Sequence, residues 1–91
     1  MTIWKYELIG SELEIEVPSY CQKKPLKIRY IQQQDKLEIW FIVDPESILE
    51  KRKFRIIGTG HSVPKNAEYI DTFFDGGYVW HLFEEYFYND N

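Results

Sequence analysis

Residues 53–61 read Lys53-Phe54-Arg55-Ile56-Ile57-Gly58-Thr59-Gly60-His61, an apolar segment that leads into a Gly-X-Gly turn and ends on a histidine. Apolar side chains alternate along its first half, which is the two-residue period of a β-strand. No other part of the chain brings basic residues, glycines and an imidazole together. The remaining sequence is therefore interpreted as a scaffold of strands that holds this turn.

Alternation of apolar and polar side chains predicts strands along the rest of the chain. Together with the segment that begins at Phe54, about seven strands result, and the turn signals between them favour antiparallel pairing. We expect a mainly β fold, a single small antiparallel β-sandwich or partly open barrel with at most one short helix. The other predicted strands span residues 3–9, 13–17, 26–32, 37–43, 68–74 and 78–87.

Short polar segments connect these strands. Gly10-Ser11 separates the first two alternating runs and predicts a hairpin between them. Asp75-Gly76-Gly77 is a second hairpin signal. Asp44 and Pro45 are typical of a helix start, so residues 45–51 are expected to hold the one short helical turn.

Length and charge limit the class of protein. The chain has 91 residues, which predicts one domain over residues 1–91 with a frayed tail at 88–91. Its net charge of −4 has the wrong sign for a general nucleic-acid binder. The single cysteine, Cys21, excludes an intrachain disulfide and fits a reducing compartment. Neither a signal peptide nor a membrane helix is indicated, so a cytoplasmic location without membrane partners is expected.

The Gly-X-Gly turn is the first candidate for chemistry. Consecutive backbone N–H groups at Gly58, Thr59 and Gly60 could form an anion-binding nest, with Lys53 and Arg55 adding positive charge. The turn lacks the GK[ST] ending of a P-loop, and no helix follows it as in the dinucleotide fingerprint. The plainer interpretation is a connection that needs a positive φ at one glycine. Both interpretations stay open at this level.

His61 and His81 are the two histidines of the chain. A zinc site would need more ligands than these two and Cys21, so Asp71 or Asp75 would have to contribute. No nucleophile-elbow or triad signature accompanies His61, although Thr59 or Asp44 could serve as its partner in a hydrolase. For His81 we favour a strand histidine hydrogen-bonded to a neighbour. No catalytic residue, metal site or cofactor is therefore predicted.

Aromatic side chains make up 18% of the chain. Strand 37–43 is apolar on both faces and strand 78–87 is aromatic on both, which exceeds what one thin core needs. Because Trp and Tyr are enriched in subunit contacts, we predict a homo-oligomer. In contrast, Glu12, Glu14 and Glu16 are interpreted as a solvated strand face rather than an ion site. The three tryptophans are Trp4, Trp40 and Trp80.

Several short motifs occur together in a fixed order. They are Ile3-Trp4-Lys5-Tyr6, Val43-Asp44-Pro45, Phe54-Arg55-Ile56 before Gly58-Thr59-Gly60-His61, Tyr69-Ile70 and Thr72-Phe73, then Gly76-Gly77 and Val79-Trp80-His81-Leu82-Phe83-Glu84. This combination, over most of the chain, resembles a family of short phage and prophage proteins of unknown function. The chain departs from the family pattern at Asp71, where glycine is usual, and after Glu84. The resemblance implies a phage accessory protein and supplies no catalytic residue.

Three functional hypotheses follow. The first is a counter-defence protein in the host cell cytoplasm that sequesters a small phosphorylated, nucleotide-type host immune signal without catalysis. Its phosphates would bind Lys53, Arg55, Gly58, Thr59, Gly60 and His61, and its base would stack on Trp80, or on Trp40 or Tyr78. The alternative is an inhibitor or adaptor that docks a host defence protein through an aromatic face. The third is a small hydrolase of such a signal.

Overall fold

The computed structural model describes residues 1–10 and 12–86. These residues form seven strands and one 3-10 turn, Gln32–Gln34, which is the one helical element in the described part of the chain. The mainly β prediction is thus confirmed. The strands are β1 (Thr2–Ile9), β2 (Glu12–Pro18), β3 (Lys27–Ile31), β4 (Lys36–Val43), β5 (Leu49–Gly58), β6 (Ala67–Asp75) and β7 (Tyr78–Glu85).

The strands are arranged in two antiparallel sheets that do not close into a barrel. Sheet A has three strands in the order β1-β4-β3, and sheet B has four in the order β2-β5-β7-β6. β4 pairs with both neighbours in sheet A, while β5 and β7 are the inner strands of sheet B. The two sheets face each other, so the architecture is a small β-sandwich.

The predicted hairpin between β1 and β2 is wrong. β1 pairs with β4, and β2 pairs with β5 in the other sheet. The chain crosses between the sheets after Ile9, where Gly10 has a φ of 89°. Both strands carry one apolar face, and such a face can cover the core from either sheet. Alternation therefore identified both strands correctly without specifying their neighbours.

The core lies between the sheets. Leu37, Ile39, Phe41 and Val43 project from one face of β4 and are at most 1% exposed. They pack with side chains from sheet B, including Leu13, Phe54, Ile70, Phe73 and Leu82. Full burial of one such side chain contributes about 1.5–3 kcal/mol, so β4 anchors the fold. Its double-sided apolar pattern correctly predicted a central strand.

The helical turn predicted for residues 45–51 is also wrong. Asp44 caps a tight turn instead: its backbone oxygen accepts from the Ser47 amide at 3.2 Å, and its Oδ1 accepts from the Glu46 amide at 3.1 Å. The chain then enters β5 at Leu49, five residues before the predicted strand start at Phe54. This extension makes Arg52 part of a strand and turns its side chain toward the core.

Arg52 and Glu84 form an ion pair inside the sandwich. Arg52 Nε donates to Glu84 Oε2 at 2.8 Å, and Nη2 donates to Oε1 at 2.6 Å. The other guanidinium N–H groups donate to Cys21 Sγ at 3.2 Å, to Gln22 O at 3.1 Å and to Lys23 O at 2.8 Å. All five N–H donors of Arg52 therefore have partners. The group also lies over the Phe41 and Phe54 rings, 4.7 and 5.3 Å from their centroids.

A second buried carboxylate lies on the outer face of sheet A. Glu38 is 3% exposed because Lys5 and Arg29 cover it from the neighbouring strands. Arg29 donates to its Oε1 from Nε at 2.9 Å and from Nη2 at 2.6 Å, and Lys5 Nζ donates to Oε2 at 3.1 Å. The hydrogen bonds from Arg29 and Lys5 hold the pKa of Glu38 below its usual value. The outer face of sheet A is thus held by paired charges, and its inner face by burial of apolar side chains.

The predicted tail at residues 88–91, and Phe87 at the end of the predicted last strand, lie outside the described residues. None of the described residues belongs to a helix long and apolar enough to cross a membrane.

Replacing Arg52 tests the internal ion pair. Arg52→Ala leaves Glu84 buried without its partner, so we expect the free energy of unfolding to fall by about 3–5 kcal/mol. Arg52→Lys should recover only part of this loss, since an ammonium has three donors and no planar fork. Urea denaturation followed by circular dichroism measures both. Lys53→Ala, at the partly exposed pair with Glu85, is the control and should cost at most about 1 kcal/mol. A similar small loss for Arg52→Ala contradicts the assigned role.

The ion-paired carboxylates predict an acid-sensitive fold. Hydrogen bonds lower the pKa of Glu38, of Glu68 through Lys23, and of Glu85 through Arg55, from the ordinary 4.5. A carboxyl group whose pKa is lower in the folded state than in the unfolded state stabilises the fold at pH values above the unfolded-state pKa. This contribution is lost as the pH falls through the folded-state pKa. We expect Tm to decrease as the pH is lowered from about 5 to about 3. Glu38→Gln should be less stable than the parent at neutral pH and show a smaller decrease. An equal decrease in both proteins contradicts the contribution of Glu38.

Candidate functional site

A cavity of about 220 Å³ opens between the sheets at one end of the sandwich. Four connections meet there: the crossing after β1, the turn between β3 and β4, the turn after β5, and the β6–β7 hairpin. We call this space the Trp80 cavity. Its lining residues are Gly10, Tyr30, Asp35, Ile56, Phe73, Asp75 and Trp80.

The inner wall of the Trp80 cavity is aromatic. Trp80 lies on β7 opposite Gly58 on one side and Phe73 on the other. Tyr78 stacks near the Trp80 ring with centroids 6.2 Å apart, and Tyr30 lies 5.1 Å from the Phe73 ring. Trp80 is only half-buried, although it belongs to the last layer of the core. A planar apolar ligand could therefore contact its ring.

Two carboxylates border the cavity. The Tyr30 hydroxyl lies 2.7 Å from Asp35 Oδ1 and 3.3 Å from Asp75 Oδ2. The hydrogen bond to Asp35 is the main cause of a strong rise in the pKa of Tyr30, so the phenol remains a donor. Asp35 itself has a left-handed backbone, with a φ of 47°. This arrangement directs negative charge at the cavity, which favours ligands with hydrogen-bond donors and disfavours phosphate.

The Gly-X-Gly segment forms a turn at the rim of this end. The His61 amide donates to Gly58 O at 3.1 Å, and Gly60 has a φ of 89°. The positive φ expected at one glycine of this turn is thus confirmed, and it occurs at Gly60. The Thr59 amide points at Val79 O, 3.4 Å away. Because the amides of Thr59 and His61 face protein carbonyls, the turn does not present a row of N–H groups to an anion.

Three of the predicted site residues do come together. A β-carbon built on Gly58 would lie 3.1 Å from Trp80 Cζ3 and 3.6 Å from His61 Cε1. The two rings therefore border the same spot, and the missing side chain of Gly58 leaves room for Trp80. The turn thus matters for the shape of the Trp80 cavity rather than for binding phosphate.

Lys53 and Arg55 lie elsewhere. Both project from the outer face of sheet B, where Arg55 Nε and Nη2 contact Glu85 at 2.5 and 3.2 Å and Lys53 Nζ lies 3.7 Å from it. The Arg55 hydrogen bond is the main cause of the lowered pKa of Glu85. Lys53 is five residues before Gly58, or about 16 Å along a strand. The structure therefore divides the predicted site between two faces.

His81 is held on the outer face of sheet B by hydroxyl groups. Its Nε2 lies 2.9 Å from Thr59 Oγ1, and its Nδ1 lies 2.9 Å from Thr72 Oγ1, which is itself 2.7 Å from the Tyr69 hydroxyl. The interpretation as a hydrogen-bonded strand histidine is confirmed. Sequence reasoning missed the pairing with Thr59, since the two residues are neighbours only through the β5–β7 register.

A larger cavity, of about 450 Å³, lies beside Arg52, Glu84 and Cys21. Most of its charged lining groups bind one another, because Arg52 uses all its donors within the protein and Glu68 is bound by Lys23 and by the Tyr86 hydroxyl. Burial raises the pKa of the Cys21 thiol, which makes it a poor nucleophile. Elsewhere in the described residues, no group of three or more His, Cys, Asp or Glu side chains could hold a metal ion. The smaller cavity is therefore the better candidate site.

Comparison with known protein families gives a match over nearly the whole chain. A family model described as "Domain of unknown function (DUF7352)" matches residues 1–90. No curated protein and no solved structure matches the chain.

Gly60 provides a test of the turn. Gly60→Ala places a β-carbon on a residue with positive φ, so we expect a loss of about 1–2 kcal/mol from left-handed strain, although the β-carbon meets no atom within 4 Å. Gly77→Ala is the matched control, because it also meets open space and its φ lies outside the left-handed range. Chemical denaturation compares the two variants with the parent. Equal stability of the two variants contradicts the conformational requirement at Gly60.

Proposed function

We propose that the chain, which belongs to the DUF7352 family, is a non-enzymatic binding protein that holds a small aromatic ligand in the Trp80 cavity. One observation carries this proposal: an accessible tryptophan ring shares a cavity with two carboxylates that meet at the Tyr30 hydroxyl. Apolar walls with a few convergent polar groups are the usual composition of a small-molecule site.

The polar groups limit the class of ligand. Carboxylates accept hydrogen bonds from amino groups on the edge of a nucleobase, and a base stacked on an aromatic side chain gains about 1–3 kcal/mol. The cavity volume of about 220 Å³ suits one ring system and not a whole nucleotide. A nucleotide-type signal would therefore insert its base and leave its phosphates at the mouth, near Gly60 and His61. This placement differs from the sequence-based prediction, in which Lys53 and Arg55 bind the phosphates.

Sequestration without catalysis is the favoured mode. The hydroxyl–imidazole pair of Thr59 and His81 lies on the outer face of sheet B, and a threonine rather than a carboxylate contacts the other ring nitrogen. An uncharged orienting group gives little stabilisation to an imidazolium, which weakens His81 as a general base. The phage accessory role and the host immune signal remain proposals that rest on the sequence resemblance.

A second candidate function is docking of a host protein. The outer face of sheet B carries a patch of Tyr69, Phe74, Val79 and Phe83, and Phe74 is 70% exposed. Tyr69 and Phe83 pack edge to face with centroids 5.7 Å apart. Aromatic side chains of this kind are common anchors in protein interfaces. This aromatic face does not include the Trp80 cavity, so the two functions can be separated by mutation.

Ligand titration tests the first proposal. We expect nucleosides and the matching nucleotides to bind with affinities within about threefold of each other, because the phosphates stay outside the cavity. Trp80→Leu should weaken binding by about tenfold or more through lost stacking, and Asp75→Asn should weaken only ligands with amino groups on the base. Isothermal titration calorimetry with adenosine, cytidine, guanosine, uridine and their mono- and cyclic phosphates supplies these values.

The control for this titration is Phe74→Ser, which changes an exposed ring on the other face of sheet B and should bind ligands like the parent. Heating the complex and analysing the released ligand distinguishes binding from hydrolysis, since a binding protein returns the ligand unchanged. Absence of binding by any nucleoside or nucleotide at millimolar concentration contradicts the proposal. If nucleotides bind but nucleosides do not, and Arg55→Ala abolishes this binding, the result would instead support phosphate binding at Lys53 and Arg55.

A further inference from the structure

The sandwich has four edge strands, β1 and β3 in sheet A and β2 and β6 in sheet B. Each edge exposes unpaired backbone groups that can pair with another chain. Proteins usually protect such edges with charges, short strands, prolines or bulges. An edge without these features is a candidate interface between copies.

Three of the edges are protected against pairing with their own copy. On β2, Glu14 and Glu16 point outward and Pro18 ends the strand. β3 has five residues, and its outward charges, Lys27 and Arg29, are both positive. β6 carries only acidic charges and has an irregular register after Tyr69. Antiparallel pairing of any of these strands with itself brings like charges together.

β1 lacks this protection. It has eight residues without proline or a register shift, and its outward face reads Ile3, Lys5, Glu7, Ile9. Ile3 is 58% exposed and Ile9 is 68% exposed, so both ends of this face are apolar and uncovered. The two charges between them have opposite signs.

We propose that β1 pairs antiparallel with β1 of a second copy about a two-fold axis at Tyr6, which makes sheet A a continuous six-stranded sheet. This register places Lys5 opposite the partner's Glu7, and the symmetry repeats the pair. Ile3 then lies opposite the partner's Ile9, and on the inward face Trp4 lies opposite the partner's Leu8. Every outward position of the strand thus meets a complementary one.

Other registers are disfavoured. An axis at Lys5 or at Glu7 brings two like charges face to face at the axis. A slip by one residue turns the inward face of one copy outward. The strand sequence therefore specifies one arrangement, and this inference goes beyond ligand binding because it uses none of the aromatic or acidic residues of the Trp80 cavity.

The existing charges support the same register. Lys5 Nζ contacts Glu38 at 3.1 Å and Glu7 at 3.6 Å, and Lys36 Nζ contacts Glu7 at 3.2 Å. The partner's Lys5 would reach Glu7 from its uncovered side and extend this network of alternating charges. An edge-to-edge contact buries little area, so the dimer belongs to the weak class and depends on concentration.

Sedimentation velocity on the full chain tests the dimer over a wide range of protein concentrations. We expect the parent to dimerise reversibly. Glu7→Lys should weaken the dimer by about tenfold or more, because each Lys5 then faces a lysine. Glu16→Lys makes the same charge change on β2 and should leave the dimer unchanged. Circular dichroism checks that each variant is folded.

A mixing experiment provides a positive result. Lys5→Glu alone should also be monomeric, but an equal mixture of Lys5→Glu with Glu7→Lys should form heterodimers, because both opposed pairs are then attractive. If Lys5→Glu is unfolded, Ile9→Lys is the second variant. It should weaken the dimer, because a lysine then replaces the side chain that contacts Ile3 of the partner. A parent that is monomeric at every concentration, or a dimer insensitive to Glu7→Lys, overturns the proposal. Equal weakening by Glu16→Lys also overturns it, since net charge then explains the effect.

Discussion

The placement of a guanidinium inside the sandwich is the constraint on which the rest of the structure depends. A buried charge is tolerated only when its donors are satisfied, and Arg52 meets this condition through Glu84 and three groups of residues 21–23. Those three residues belong to the segment that crosses from sheet B to sheet A, where the Gln22 amide also donates to Ile42 O. One side chain thus holds β5, β7 and the crossing segment in register.

The two ends of the sandwich differ because of this ion pair. The end with Arg52 is occupied by polar groups that satisfy one another. At the other end, β5 finishes in Gly58, whose missing side chain leaves space for the Trp80 ring, and the inner side chains are aromatic. Stability and candidate function are therefore separated along the same strands. The carboxylates of Asp35 and Asp75 give the open end its charge, and they come from the turn between β3 and β4 and from the last residue of β6.

Sequence patterns predicted the strands well because alternation reports only whether a strand has one buried face. They could not show that Arg52 points inward, since three consecutive basic residues at 51–53 look like a solvated cluster until the strand is known to include them. The same limit affects the site. Lys53, Arg55 and Trp80 belong to one ligand site in the sequence-based prediction, but the strand period places the first two outside and the third between the sheets. The contact of Thr59 with His81 depends on the β5–β7 register, which local sequence does not determine.

The charges at the outward positions of the strands help to show which strands are neighbours. Glu14 is the cross-strand partner of Lys53, and Glu16 is the partner of Lys51, so the acidic row of β2 matches the basic row of β5. This complementarity distinguishes β5 from β1 as the neighbour of β2, where alternation and the Gly10-Ser11 turn favoured the wrong strand. The outward row of β1 is different, because its two opposite charges are symmetric about Tyr6. These charges match β4 on one side, where Glu38 contacts Lys5 and Lys36 contacts Glu7, and they match a reversed copy of β1 on the other. Such a strand is suited to the edge of a sheet, where we propose that a second copy supplies its other neighbour.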